Sequence, residues 1–144
     1  MKIENQVSNL ELSRKLKELG VKQESLWYWY SYNLETDWYI TKEIDDKDKE
    51  YLISAFTVAE LGEMLPKHIH NPKKDTPGTI DGQGDLTIRW VVEGCLVGYD
   101  CLSERLKKLE ERLVPTMMSR TEVNARTKML VYLLEKKLLS PKKL

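Results

Sequence analysis

Leu12, Leu16 and Leu19 recur at spacings of four and three, the interval that lines one side of a helix. Ser8 stands three residues before Glu11 as a reciprocal cap, and Gly20 occupies the position where a left-handed residue ends a helix. Residues 9–19 are therefore expected to form a first helix. From Ser25 the period drops to two and the composition turns aromatic, with SLWYWYSY followed by WYITKEI. That predicts a β-hairpin of strands 25–32 and 38–44, joined by a polar turn containing Asn33 and Asp37. YLISAF, residues 51–56, reads either as a short strand or as the approach to the next helix. Thr57 with Glu60 forms a second capping box, Val58, Leu61 and Leu65 supply a helical stripe, and Pro66 closes it.

Residues 66–84 carry three prolines and three glycines and show no apolar period, so they are expected to be a long loop, a kind that is often functional or mobile. DLTIRWVVEGCLVGYD predicts a second strand pair, 85–92 and 95–100, turning at Glu93–Gly94. Leu102, Leu106, Leu109 and Leu113 mark a third helix over 104–113, ended by Pro115. The last helix is expected over about 120–139, with Ser119 and Glu122 as its cap. The fold class that follows is α+β, an antiparallel sheet of two β-hairpins packed by about four helices, in one globular domain spanning residues 1–144.

Composition narrows the setting. Charged residues make up 32% of the 144 and apolar residues 41%, a globular balance, and two cysteines are too few for a disulfide framework. No apolar run approaches the roughly 18 residues a membrane span requires, and the N-terminal stretch has no apolar signal core, so neither export nor a membrane partner is expected. Lys and Arg equal Asp and Glu in number, 23 each, but are unevenly distributed: residues 103–144 hold 11 basic against 5 acidic side chains. A nucleic-acid-binding domain is usually basic overall, so mutual neutralisation of the two parts of the chain is the simpler expectation.

Three segments, NQVSNLELSRKLKELGVKQESLWYW, ISAFTVAELGEMLPK and EVNARTKMLVYLLEKKLL, resemble a group of small uncharacterised proteins encoded by bacteriophages and prophages, TVAELGEMLP being the most specific phrase. The resemblance implies a phage setting and a bacterial cytoplasmic location, with no established activity to transfer. Relatives in that group often place Cys where this chain has Ser8, so any role of that cysteine is absent here. Residues 66–118 take no part in the resemblance.

The candidates for chemistry are sparse. His68, His70, Cys95 and Cys101 are zinc-type ligands, but five residues separate the cysteines where structural zinc sites use two to four. No metal, cofactor or catalytic residue is expected, and an apolar Cys95 with solvent-facing histidines is the favoured reading. TPGTIDGQGD is glycine-rich but lacks the GK[ST] ending of a phosphate loop. Asp45–Asp46 and Glu110–Glu111 read as solvated faces.

Two features point to binding. The first hairpin is aromatic on both sides, with Trp27 and Trp29 alternating with Tyr28, Tyr30 and Tyr32. The indoles are expected on the buried side, leaving Tyr28, Tyr30 and Tyr32 accessible. The last helix carries two apolar sets: Val123, Leu130, Leu134 and Leu138, with Val131 at its edge, for the core, and Ala125, Met129, Tyr132 and Leu133 on another flank. The third helix or a second copy across a two-fold would cover that flank, and a homodimer is favoured. These seven residues, Tyr28, Tyr30, Tyr32, Ala125, Met129, Tyr132 and Leu133, form the candidate interaction surface. The expectation is a non-catalytic phage or prophage accessory protein acting by protein binding or self-association. A nucleic-acid-associated factor using the basic C-terminal segment is the alternative, and a small hydrolase the third reading.

Overall fold

The computed structural model describes residues 2–32, 36–43, 51–70, 83–100 and 114–143. Within them the protein is α+β: three α-helices and two separate antiparallel sheets, where the sequence suggests one sheet. The helix expected over 104–113 lies outside the described residues, as do Asn33 in the first turn, Cys101, Asp45–Asp46 and Glu110–Glu111.

Helix α1 spans Leu10–Glu18, and its cap is Asn9 rather than Ser8: the Asn9 side chain accepts from the Leu12 N–H. Ser8 cannot serve because it is fully buried, held by other groups. Gly20 ends the helix at φ 84°, with the Val21 N–H donating back to the Leu16 carbonyl at 3.1 Å, the closing bond of a left-handed cap. Helix α2 spans Val58–Met64 and opens on the expected capping box, Thr57 accepting from the Glu60 N–H while the Glu60 carboxylate accepts from the Thr57 N–H.

The first sheet has the order β2-β1-β3, with β1 at Tyr28–Tyr30, β2 at Tyr39–Thr41 and β3 at Ile53–Ser54. The YLISAF segment thus supplies a short strand, and the aromatic hairpin pairs over three residues, fewer than its composition suggests. The second sheet has the order β4-β5-β6-β7: His68–His70, Gln83–Val91, Gly94–Asp100 and Met117–Ser119. Its central hairpin turns on Val92–Glu93, one residue earlier than expected, with Val91 opposite Gly94. Glycine is required there. Gly94 sits at φ 148°, and a Cβ on it would fall 2.2 Å from the Ser119 carbonyl oxygen of β7.

Strand β4 corrects part of the loop expected over 66–84, and β7 was not anticipated. Both are three-residue edge strands beside a proline, too short to display alternation. β7 also explains the change of cap at the last helix, α3 (Glu122–Glu135). Ser119 is engaged in the sheet opposite Cys95, so Thr121 caps by accepting from the Asn124 N–H. The helix ends at Glu135, four residues before the expected end, and Lys137, at φ 56°, turns the chain, with the Leu138 and Leu139 N–H groups donating to the Leu133 carbonyl.

α3 is the centre of the molecule. It packs on α1, α2, β6 and β7, and Val123, Ala125, Met129, Leu130, Leu133 and Leu134 all enter one hydrophobic cluster with Leu16, Phe56, Leu61, Cys95 and Val97. A helix that is apolar on nearly every side belongs inside a core, and this one is enclosed by its own chain.

Candidate functional site

Register assigns the residues of the first sheet to its sides. Tyr28 lies opposite Thr41 and Ser54, and Tyr30 opposite Tyr39, whereas Trp29 lies opposite Ile40 and Ile53. Tyr28, Tyr30 and Tyr39 therefore share one face and Trp29 takes the other.

The tryptophan side is occupied by the chain itself. The Trp29 Nε1–H donates to the Ser8 carbonyl at 2.9 Å, the Arg14 guanidinium of α1 lies 4.9 Å from the Trp38 ring centroid, and the Lys42 ammonium lies 4.2 Å from that of Trp27. Each cation covers an aromatic face whose negative quadrupole attracts it.

The tyrosine side is built differently. Tyr30 packs edge-on against Tyr32 at 4.9 Å and against Tyr39 at 5.4 Å, with Tyr32 and Tyr39 6.4 Å apart. These spacings fall in the range where edge-to-face pairs attract. Tyr30 forms the base of the cluster at 8% exposure, while Tyr32 is 85% exposed. Tyr28 is half-buried, and its phenolic oxygen accepts from the Ser25 N–H. Trp27 and Trp29 are only half-buried, so the expected division between buried indoles and accessible tyrosines fails at Tyr30. Part of the reason is local: the neighbouring Tyr32 and Tyr39 rings pack edge-on against Tyr30. Tyr39, accessible and part of the cluster, was missed because its place depends on which residue of β2 meets Tyr30.

The C-terminal candidates are distributed otherwise. Ala125, Met129 and Leu133 are fully buried, and Tyr132 is half-exposed with the Lys136 ammonium 5.9 Å from its ring. The chain's own helices and second sheet cover the flank assigned to a partner, so the second stripe gives no reason for a two-fold interface. Leu138, assigned to the core side, is exposed.

Of the zinc-type ligands near the second sheet, His68 and Cys95 lie on opposite sides of it. His68 Nδ1 meets Asp85 Oδ1 at 2.6 Å on an open surface. Cys95 is buried on the opposite side of the sheet, because Asp85 and Trp90, their respective neighbours on β5, have opposite parity. Burial pushes the Cys95 thiol up, Glu122 adds to the effect and Arg126 partly offsets it, so the nucleophilic thiolate is disfavoured. Among the described residues no group of three or more His, Cys, Asp or Glu side chains is placed to hold a metal ion. The same residues contain no helix long and apolar enough to cross a membrane.

The described basic residues of the C-terminal part do not gather into one stripe. Arg126 pairs with Glu122 on its own helix, and among the described residues an ion pair that links the two parts of the chain joins Lys15 to Glu135, the reverse of the expected polarity. Arg120 precedes α3 and Lys136 and Lys137 follow it, separated by a helix about 20 Å long.

Compared with protein families, curated proteins and solved structures, the chain matches none.

Proposed function

We propose that this chain is a non-catalytic accessory protein of a bacteriophage or prophage that works in the bacterial cytoplasm by binding another protein, or itself, through the tyrosine face of β1 and β2. The observation that carries the reading is the Tyr30–Tyr32–Tyr39 cluster, which holds an almost fully exposed ring on a fixed base. Tyrosine with two rotatable side-chain bonds loses little entropy on docking, brings a large apolar area and keeps a hydroxyl for a polar partner, which is why it is enriched at protein interfaces. Leu26, also exposed, adds an aliphatic contact on the same segment. The phage setting rests on the three resembling segments, one of which runs through the start of this hairpin.

The test compares the full chain with Tyr32→Ser, a change at an exposed ring that leaves the fold intact. Each is immobilised and exposed to lysate from phage-infected or lysogenic cells, and each is sized by light scattering. The expected result is a protein retained by the wild type and lost by the variant. Self-association would instead give twice the 16.9 kDa chain mass, reverting to one chain on substitution. Identical retention and mass for both would overturn the proposal.

A further inference from the structure

The end of the β5–β6 hairpin carries a second unexplained surface. Val92 is fully exposed and Trp90 is 64% exposed, with Val91 exposed beside them. Met118, on the neighbouring edge strand β7, is also exposed and lies in register with Leu96 and Arg89. Four large apolar side chains left in water at one end of a sheet are unusual for a surface with no partner.

Their arrangement restricts the occupant. Strand parity puts Val91, Leu96 and Met118 on one side of the sheet and Trp90 on the other, with Val92 at the turn between them. A flat surface docked on either side would leave the opposite side and the apex uncovered. A medium that surrounds the tip would cover all three. The charges add a sign: among the described residues Arg89, Arg120 and Lys128 are exposed around this end, against the exposed carboxylate of Glu93, while the nearby Glu122 is already paired with Arg126. Arg120 follows β7 with its backbone against the Gly94 turn, and the Lys128 ammonium donates to the Met118 carbonyl at 2.9 Å. A two-fold contact between copies would bring these cations together, which opposes it. Trp is favoured at the lipid headgroup level, and Lys and Arg are drawn to anionic headgroups.

We infer that the β5–β6 hairpin tip is a peripheral membrane contact, in which Trp90, Val91 and Val92 enter the headgroup region of an anionic bilayer while Arg89, Arg120 and Lys128 meet its phosphates. This surface belongs to the second sheet and is independent of the tyrosine cluster.

Sedimentation of the full chain with vesicles of equimolar phosphatidylcholine and phosphatidylglycerol, and with vesicles of phosphatidylcholine alone, tests it at low salt. The anionic vesicles should bind the wild type about tenfold more tightly or better. Val92→Ser should weaken that binding about tenfold through lost apolar transfer, and Arg120→Gln about fivefold through one lost cation. Both side chains are exposed, so unchanged melting temperatures are expected for both variants, and Tyr32→Ser should bind vesicles as the wild type does. Failure of the wild type to sediment with either vesicle, or equal binding by wild type and Val92→Ser, would overturn the inference. The first of those outcomes would leave the tip to a protein pocket.

Discussion

Removing one oxygen atom at Ser8 should destabilise the whole fold. Ser8 Oγ accepts from the Phe56 N–H at 2.9 Å and lies 2.7 Å from Ser13 Oγ. The Ser13 hydroxyl also reaches the Ser8 carbonyl, which the Trp29 indole N–H bonds as well. One residue thereby ties the entry of α1, strand β1 and the segment leading to α2. Ser8, Ser13 and Phe56 are all fully buried, so water has no access to replace a lost partner. In Ser8→Ala the Phe56 N–H is left unpaired, at a cost of about 1–3 kcal/mol. With a urea m-value near 2 kcal/mol/M, the unfolding midpoint should fall by about 0.5–1.5 M. Amide exchange supplies the local readout: the Phe56 N–H should lose protection beyond the global loss. Ser13→Ala removes the other end of the hydroxyl pair, so the double variant should cost less than the sum of the two singles. A Ser8→Ala midpoint equal to that of the wild type would refute the argument, since it would mean that the buried network adds nothing net to stability.

Three further outcomes are expected. Burial raises the Glu60 carboxyl, but hydrogen bonds from the Thr57 backbone and hydroxyl and from the Leu26 N–H outweigh it and leave the carboxyl below its ordinary 4.5. Its contribution is complete above the unfolded value and is lost as pH falls through the lower folded one, so Glu60→Gln should flatten the acid limb of a stability–pH curve; parallel curves would exclude this origin. Gly94→Ala should cost about 1–3 kcal/mol in thermal or urea unfolding, from the unfavourable φ together with the clash at Ser119; an unchanged melting temperature would show that β7 moves aside freely. Met129→Ala should cost about 2–5 kcal/mol as a cavity in the core, with no change in mass on a sizing column, whereas a change in mass without loss of stability would return Met129 to an interface.

Much of the local structure was legible. The Thr57–Glu60 box and the Gly20 stop appear where the pattern puts them, and the β5–β6 hairpin within one residue of it, because each depends on residues only a few positions apart. The caps at Ser8 and Ser119 were misplaced for a shared reason. A serine near a helix start is a good cap only while its hydroxyl and backbone are free, and distant segments intervene: Phe56 engages the hydroxyl and backbone of Ser8, and strand pairing opposite Cys95 holds the backbone of Ser119. The tyrosine surface was half legible. Alternation separates Tyr28 and Tyr30 from Trp29, but the register with β2 decides that Tyr39 and Tyr32 cover Tyr30.

The sequence by itself determined the α+β class, the positions of most elements and the two-striped character of the last helix, since short-range periodicity and caps depend on neighbours along the chain. Tertiary structure alone decided that the two hairpins belong to separate sheets and that α3 is enclosed on nearly every side. It also decided which aromatic residues reach solvent. An apolar stripe states how much surface must leave water without naming what covers it. That choice is made by segments far away in sequence, whose contacts leave no periodic trace in the stripe they cover.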